Sequence, residues 1–533
     1  MFQARASPAG SPSVAAESRE FMRMSIDSSS DVDIQGAISD LSDLLGSRAT
    51  TAKSQREHHS SGESYHPSAL PDVVCFPHNT EEVSGIMRIS AKHKVPVIAY
   101  GAGTSVEGQI NAIRGGITVD LREMNKIMRV SVEDLDATVQ AGVTRLQLGK
   151  AVRTEGLTFF IDPGADATLG GMVSTRASGT TAVRYGTMRE NVLGMTVVLA
   201  DGSVIRVGTR ARKSAAGYDL THLFVGSEGT LGIITEIIVR LHVLPGAISA
   251  AVCAFPSVNA AVQTAIQTIQ LGLSVARLEF LDDEQIRAIN QFSKTDLPVL
   301  PTLFCEFHGR DLRDVSEQAS ILEGIAEDQG GLGFQWRKTP EERDALWRAR
   351  HDAYYAAQAL RAGAKVWTTD VCVPISRLAD CITETRNDLA SVSFPATIVG
   401  HVGDGNFHVL CVLDAESAAE MQEAAEFSGR LVHRAQQMEG TCTGEHGVGY
   451  GKLKYLKAEH GEALDTMRAI KRALDPDNRM NPGKMVVSED EVAGEELHVS
   501  SNGADGDGSV LSKESSPAGD LAAHYVDGPE GSN

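Results

Sequence analysis

The stretch Asp162-Pro163-Gly164-Ala165-Asp166-Ala167-Thr168-Leu169-Gly170-Gly171-Met172 runs on into Ser178-Gly179-Thr180 and Arg184-Tyr185-Gly186-Thr187. Small residues at this density leave backbone N–H groups open to a ligand, with few side chains in the way. Two loops of the same kind flank it. Upstream, Gly101-Ala102-Gly103-Thr104-Ser105-Val106-Glu107-Gly108 follows an apolar strand, Val95–Tyr100. Val106 stands where a GxGxxG loop has its third glycine, and no GK[ST] follows, so neither a Rossmann nor a Walker loop is read here. Downstream lies Phe224-Val225-Gly226-Ser227-Glu228-Gly229-Thr230-Leu231-Gly232-Ile233-Ile234. Three such loops suit a long, flat ligand threaded between two subdomains, which is the shape of a dinucleotide carrying an isoalloxazine ring.

Around these loops the chain reads as a large soluble protein. It has 533 residues, 42% apolar and 22% charged, and a net charge of −21. That balance argues against nucleic acid or an anionic membrane as the main partner. Eleven acidic residues and one lysine fall in residues 488–533, a Gly/Ser/Asp/Glu-rich stretch too polar to fold alone. No apolar run is long enough to span a bilayer. Seven scattered cysteines without a CxxC pair exclude a disulfide framework and a zinc ribbon, and fit a reducing compartment.

Residues 1–65 form a Ser/Ala-rich N-terminal extension, with Arg5 the only charged side chain before Glu17. It reads either as the remnant of an organelle-targeting peptide or as a disordered N-terminus. Apolar spacing from Val32 to Leu45 predicts a short amphipathic helix. Strands and helices then alternate over 66–245. Val73–Phe76, Ile117–Leu121, Ile127–Ser131 and Ala137–Gln140 are strands, Thr80–His93 and Leu146–Glu155 helices, and Met195–Val207 a hairpin about Asp201-Gly202. A second texture over 246–440 predicts an α+β unit with antiparallel strands, including a long helix Glu341–Ala362. Residues 441–487 form a C-terminal segment, and 488–533 are expected to be an acidic disordered tail.

Chemistry concentrates in the second half. In His401-Val-Gly-Asp-Gly-Asn-Phe-His408, Asp404-Gly405 is a turn between two apolar segments. If Val402 faces Phe407, then His401 faces His408 on one sheet face, a half-site for a transition metal. Glu445 in Gly444-Glu445-His446-Gly447 offers the carboxylate that completes a two-His, one-carboxylate set with open positions. The adjacent His446 is then free to act as a general base. An anionic substrate needs a cation, and Arg343, Arg348 and Arg350 on one helix each offer a planar fork.

The glycine clusters quoted above, with Asp162–Asn191 and Arg212–Leu231, resemble the vanillyl-alcohol-oxidase type of flavoprotein and, within it, the FAD-linked (cytochrome) D-lactate dehydrogenases. The resemblance spans roughly Glu57–Met485. It implies a two-subdomain FAD-binding domain and a cap domain. FAD pyrophosphate would sit on Tyr100, Gly101, Ala102, Gly103, Thr104 and Ser105. Pro163, Gly164, Thr168, Gly171, Ser178, Gly179 and Gly186 would line the cofactor, with Gly232, Ile233 and Ile234 at its adenine half and Asn481 returning from the C-terminus. Many relatives tether FAD through a histidine in the first glycine loop. Gly101–Ser105 has none, so FAD is expected to be non-covalent. His401, His408 and Glu445 would bind a divalent metal, zinc or manganese, His446 would take the proton, and Arg350, three residues after Trp347, would bind the substrate carboxylate.

The reaction implied is oxidation of D-lactate or a similar small D-2-hydroxy acid. No haem or iron–sulfur motif is present, so the electron acceptor must be a separate molecule, by resemblance cytochrome c in mitochondria. Without the resemblance, a cytoplasmic location is expected. A glycolate or D-2-hydroxyglutarate dehydrogenase is the alternative on the same scaffold, and a non-catalytic flavin- or metal-binding protein a remoter one. Relatives acting on 2-hydroxyglutarate carry a Lys two residues before the equivalent of Asp370. Here Thr368 and Thr369 precede Asp370, and they are expected to offer a neutral wall.

Overall fold

A computed structural model describes residues 32–487. The first half contains two sheets. In the smaller, Val73–Cys75, Ile117–Asp120 and Val97–Tyr100 run parallel, with Ala49–Thr50 antiparallel at one edge. The larger is five-stranded and antiparallel, in the order Ile127–Ser131, Asp136–Gln140, Ile233–Arg240, Val192–Val198, Val204–Gly208. Its last two strands form the hairpin expected at Asp201-Gly202, where Gly202 adopts φ +82°. Composition groups residues 34–58 with the N-terminal extension. They instead join this half, because Leu41 and Leu45 of the helix Ile34–Leu45 pack into one core with Val73, Cys75 and Ile86.

The helix Thr80–His93 is capped one residue earlier than its threonine suggests. The Asn79 side chain accepts from Glu82 N–H, while Glu81 and Glu82 supply the acidic first turn.

The second half is built on one eight-stranded antiparallel sheet. Its centre is Thr302–Gly309, Val275–Leu281, Ala396–His401 and Asn406–Leu413. Alternate side chains leave opposite faces. On one face Leu278, Phe280, Phe407 and Val409 meet the helices Val258–Gln270, Leu312–Asp328, Leu378–Leu389 and Ala418–Gln437. On the other, Leu281, Val399 and Leu410 meet Asp283–Ser293, Pro340–His351 and Ala353–Gln358.

Two expectations change here. The single helix expected over 341–362 is two helices, Pro340–His351 and Ala353–Gln358. Asp352 lies between them, and its carboxylate takes the Ser293 hydroxyl. A short acidic side chain competes poorly as helix interior, for it finds hydrogen bonds elsewhere. The hairpin register also differs, because His401 pairs with Asn406 and His408 with Val399. Val402 therefore does not face Phe407, but a two-residue shift preserves which face each side chain takes. His401 and His408 still share a face. It is the face covered by Pro340–His351, the helix that carries Arg350.

Candidate active site: a glycine-lined cavity ending at a three-ligand cluster

A cavity of about 900 Å³ opens along the glycine loops and continues to the cap sheet. Its first wall is Tyr100, Gly101, Ala102, Gly103, Thr104 and Ser105, and its second Pro163, Gly164, Thr168, Gly171, Ser178 and Gly179. Gly232 and Ile234 line it from the third loop. A Cβ on Gly101 would lie 2.3 Å from Thr168 Oγ1, so only glycine lets the first two loops approach this closely. Thr168 in turn caps the helix Leu169–Thr175. The volume and the small-residue walls fit a dinucleotide, and the buried Ser105 hydroxyl, which has no protein partner, fits a polar ligand there.

Three residues expected at this wall lie elsewhere. Gly186 ends the helix Ala182–Tyr185 at φ +73°, packed on Glu190. Ile233 alternates with Ile234 along its strand and points into the core beside Val97 and Val198. Asn481 is buried and donates to the carbonyls of Gln109 and Glu228, so it ties two glycine loops together from behind.

At the far end, one ligand atom each from His401, His408 and Glu445 lies within 4.8 Å of the other two. Glu445 Oε1 is 3.1 Å from His401 Nε2 and 3.2 Å from His408 Nε2. The opposite ring nitrogens are already held: His401 Nδ1 donates to Glu279 Oε1 at 2.7 Å, and His408 Nδ1 to the Thr369 carbonyl at 3.0 Å. That arrangement turns both Nε2 atoms toward one point, as outer hydrogen bonds do in metal sites. Burial disfavours charge on His401, yet the carboxylates of Glu279 and Glu445 raise its pKa well above the imidazole range. A divalent cation would be welcome in such a field, and the donor set suits zinc or manganese.

Arg350 lies beside the cluster. Its Nη2 donates to Glu279 Oε2 at 2.6 Å, and its buried Nε has no partner. Glu279 is fully buried, and burial alone would raise its pKa. His401 and Arg350 instead hold the carboxyl below its ordinary range.

His446 stacks on His408, with centroids 4.9 Å apart and planes at 11°. Its Nδ1 is buried without a partner. Burial lowers its pKa against the pull of the Asp370 carboxylate. Asp370 accepts from the backbone N–H of both Glu445 and His446 at 2.9 Å and from Thr443 Oγ1 at 2.7 Å.

Arg343 and Arg348 do not line the cavity, whereas Arg145 and Arg277 do. Arg277 is paired with Asp162 at 3.0 Å and Glu306 at 3.5 Å. Thr368 lines the cavity but Thr369 does not. Its hydroxyl accepts from Val409 N–H inside the sheet. Sequence reading missed Glu279, Arg277 and Asp370 as parts of the site. The signal for the first two was present, since Val275–Leu281 sets Arg277 and Glu279 on one face of a buried strand, where charge requires a partner.

Residues 71–208 match the FAD binding domain family, and 244–485 the C-terminal domain of the FAD linked oxidases. A protein of Danio rerio named probable D-lactate dehydrogenase, mitochondrial, is 50% identical over 85% of this chain and 92% of its own length. The Arabidopsis thaliana D-lactate dehydrogenase [cytochrome], mitochondrial, is 45% identical over 84% and 80%. Glycolate oxidase subunit GlcD of Bacillus subtilis is 36% identical over 78% and 89%. In three dimensions p-cresol methylhydroxylase superposes with a TM-score of 0.69 at 18% identity, covering 86% of this chain and 99% of that one, a likeness of fold. Matched along both halves and over most of its length, the chain belongs to the FAD-linked oxidases and groups with the (cytochrome) D-lactate dehydrogenases among them.

Proposed function

We propose that this protein is an FAD-dependent dehydrogenase that oxidises D-lactate and similar small D-2-hydroxy acids to 2-oxo acids. Its electrons pass to a separate acceptor such as cytochrome c. The observation that carries this reading is one cavity joining the glycine loops to Arg350, His446 and the His401–His408–Glu445 cluster.

The glycine loops would hold FAD, without a covalent bond because Gly101–Ser105 lacks a histidine, and it would supply the hydride acceptor. His401, His408 and Glu445 would hold a zinc or manganese ion, which would supply Lewis-acid polarisation. Arg350 orients the substrate through its carboxylate, and Glu279 fixes the guanidinium from behind. His446 takes the hydroxyl proton, for which its unpartnered Nδ1 is open. Mitochondrial residence is supported by the names of two relatives.

Substrate size follows from the cavity's cations. Arg361 is engaged by Glu420 and Asp414, and neither it nor Lys365 lines the cavity. Arg277 is offset by two carboxylates, Arg145 stands beside the second glycine loop, where its backbone N–H donates to the Ala167 carbonyl, and the wall beside the cluster is Thr368, Val399 and Leu410. A second substrate carboxylate held against this wall would be buried without a partner, at a cost of about 1–3 kcal/mol or more. Glycolate is the second reading, favoured by the Bacillus subtilis relative. It would use the same groups but lacks the methyl that meets this wall.

The test is anaerobic flavin reduction and kcat/KM for D-lactate, glycolate and D-2-hydroxyglutarate, before and after metal stripping. D-lactate is expected to bleach the flavin and to lead the series, and stripping to abolish turnover with FAD retained. A higher kcat/KM for the dicarboxylate overturns the substrate assignment, and full activity in metal-free protein overturns the ligand set.

A further inference from the structure

We propose that Glu228 and Gln109, both on the flavin-binding half, are positioning residues that hold the loop bearing His446. The inference rests on the function proposed above. Gly444–Gly449 contains three glycines and no helix or strand. Such a segment has many conformations open to it, yet it must place both Glu445 and His446 to within a fraction of an ångström.

From the cap side, Asp370 takes the N–H groups of Glu445 and His446. From the flavin side, Glu228 takes two more, beyond Gly447: Val448 N–H donates to Oε1 at 2.6 Å and Gly449 N–H to Oε2 at 2.8 Å. Gln109 Nε2 donates to the His446 carbonyl at 2.8 Å. Glu228 stands in the third glycine loop and Gln109 just after the first, and both line the cavity. Asn481 joins their backbones by donating to both carbonyls.

Two further features mark the contact as specific. Glu228 adopts φ +51°, a conformation uncommon for a residue with a side chain, and it does so within a fixed network. A Cβ on Gly447 would lie 2.4 Å from Glu228 Oε1, and one on Gly449 1.8 Å from the Glu107 carbonyl. Glycine at both positions lets the loop press against the flavin half. The loops that cradle the cofactor thereby also set the position of the base.

Glu228→Gln is the discriminating variant, because an amide offers one acceptor oxygen where the two N–H groups use two, and its NH2 cannot accept. With flavin content matching the parent holoenzyme, the rate constant for anaerobic flavin reduction by D-lactate should fall about 10- to 100-fold. The half-saturating D-lactate concentration should stay within about threefold, since Arg350 lies on another element. Amide exchange in residues 443–450 should accelerate. An unchanged rate constant, or a fall equal to the loss of flavin, overturns the proposal. If D-lactate fails to reduce the parent protein, the proposed function fails by itself, and unchanged exchange in 443–450 still overturns the clamp. Should Glu228→Gln not fold, Gln109→Met is read by the same two measurements, with the same outcomes deciding.

Discussion

Glu279 carries two tasks with one carboxylate. One oxygen fixes the Arg350 guanidinium at 2.6 Å and the other the His401 ring at 2.7 Å, all three groups being buried. Charge-assisted bonds of this kind are short and directional, and removing the charge leaves the buried guanidinium and the ligand imidazole's N–H underpaired. Glu279→Gln offers one oxygen where two are needed. Metal affinity should drop about 10- to 100-fold, the usual cost of losing an outer-shell partner of a ligand histidine, and KM for D-lactate should rise. Elemental analysis after dialysis against a graded chelator, with initial rates on metal-saturated protein, checks both. Unchanged metal retention and unchanged KM would leave Glu279 a packing residue only. His401, His408, Glu445 and His446 stand out in the sequence because a turn and flanking glycines mark them locally, whereas only the family resemblance singles Arg350 out from Arg343 and Arg348. Glu279 pairs across 71 and 122 residues of chain, and no local pattern points to so distant a partner.

Element by element, the apolar alternation announced most strands and helices, because each buries one face. It failed where a tertiary contact decides the local structure. The helix break at Asp352 depends on Ser293, and the hairpin at His401–His408 closes in a register that its turn alone did not specify. The helix Asp283–Ser293 gives a test at this scale. Its N-cap is Asp282, which accepts from Gln285 N–H and is almost wholly buried. Burial pushes the Asp282 carboxyl up to about 7, against the opposing pull of its backbone hydrogen bonds. The folded state therefore holds a proton that the unfolded chain releases above its ordinary pKa of 3.8. Stability from this group is complete below that value and is lost as pH rises toward 7. Asn keeps the cap without the charge. Relative to the parent protein, Asp282→Asn should gain on the order of 2–4 kcal/mol between pH 4 and pH 8. Urea unfolding at the two pH values measures it, and a difference that does not change with pH would refute the buried-proton account.

Over the whole molecule, charge is placed where it can act on a partner. The net value is −21, and residues 488–533 hold eleven acids against one lysine. No helix among the described residues is long and apolar enough to cross a membrane. The proposed substrate, by contrast, is an anion, for which the buried Arg350 stands ready at the end of the cavity. An acidic surface would repel that substrate weakly and attract a basic haem protein strongly, so the two half-reactions should differ in their response to salt. Steering between opposite net charges raises association rates about 10- to 10³-fold and fades as the screening length shrinks from roughly 30 Å at 0.01 M to about 8 Å at 0.15 M. Cytochrome c reduction, followed as a second-order rate under excess D-lactate, should fall by at least about tenfold across that range. The rate constant for flavin reduction by saturating D-lactate should move little, because that step lies inside the cavity. A chain ending at Val487 retains −11 and should show a shallower dependence on salt. If both half-reactions respond alike, or if cytochrome c reduction rises with salt, the acceptor is not a basic protein steered by this surface.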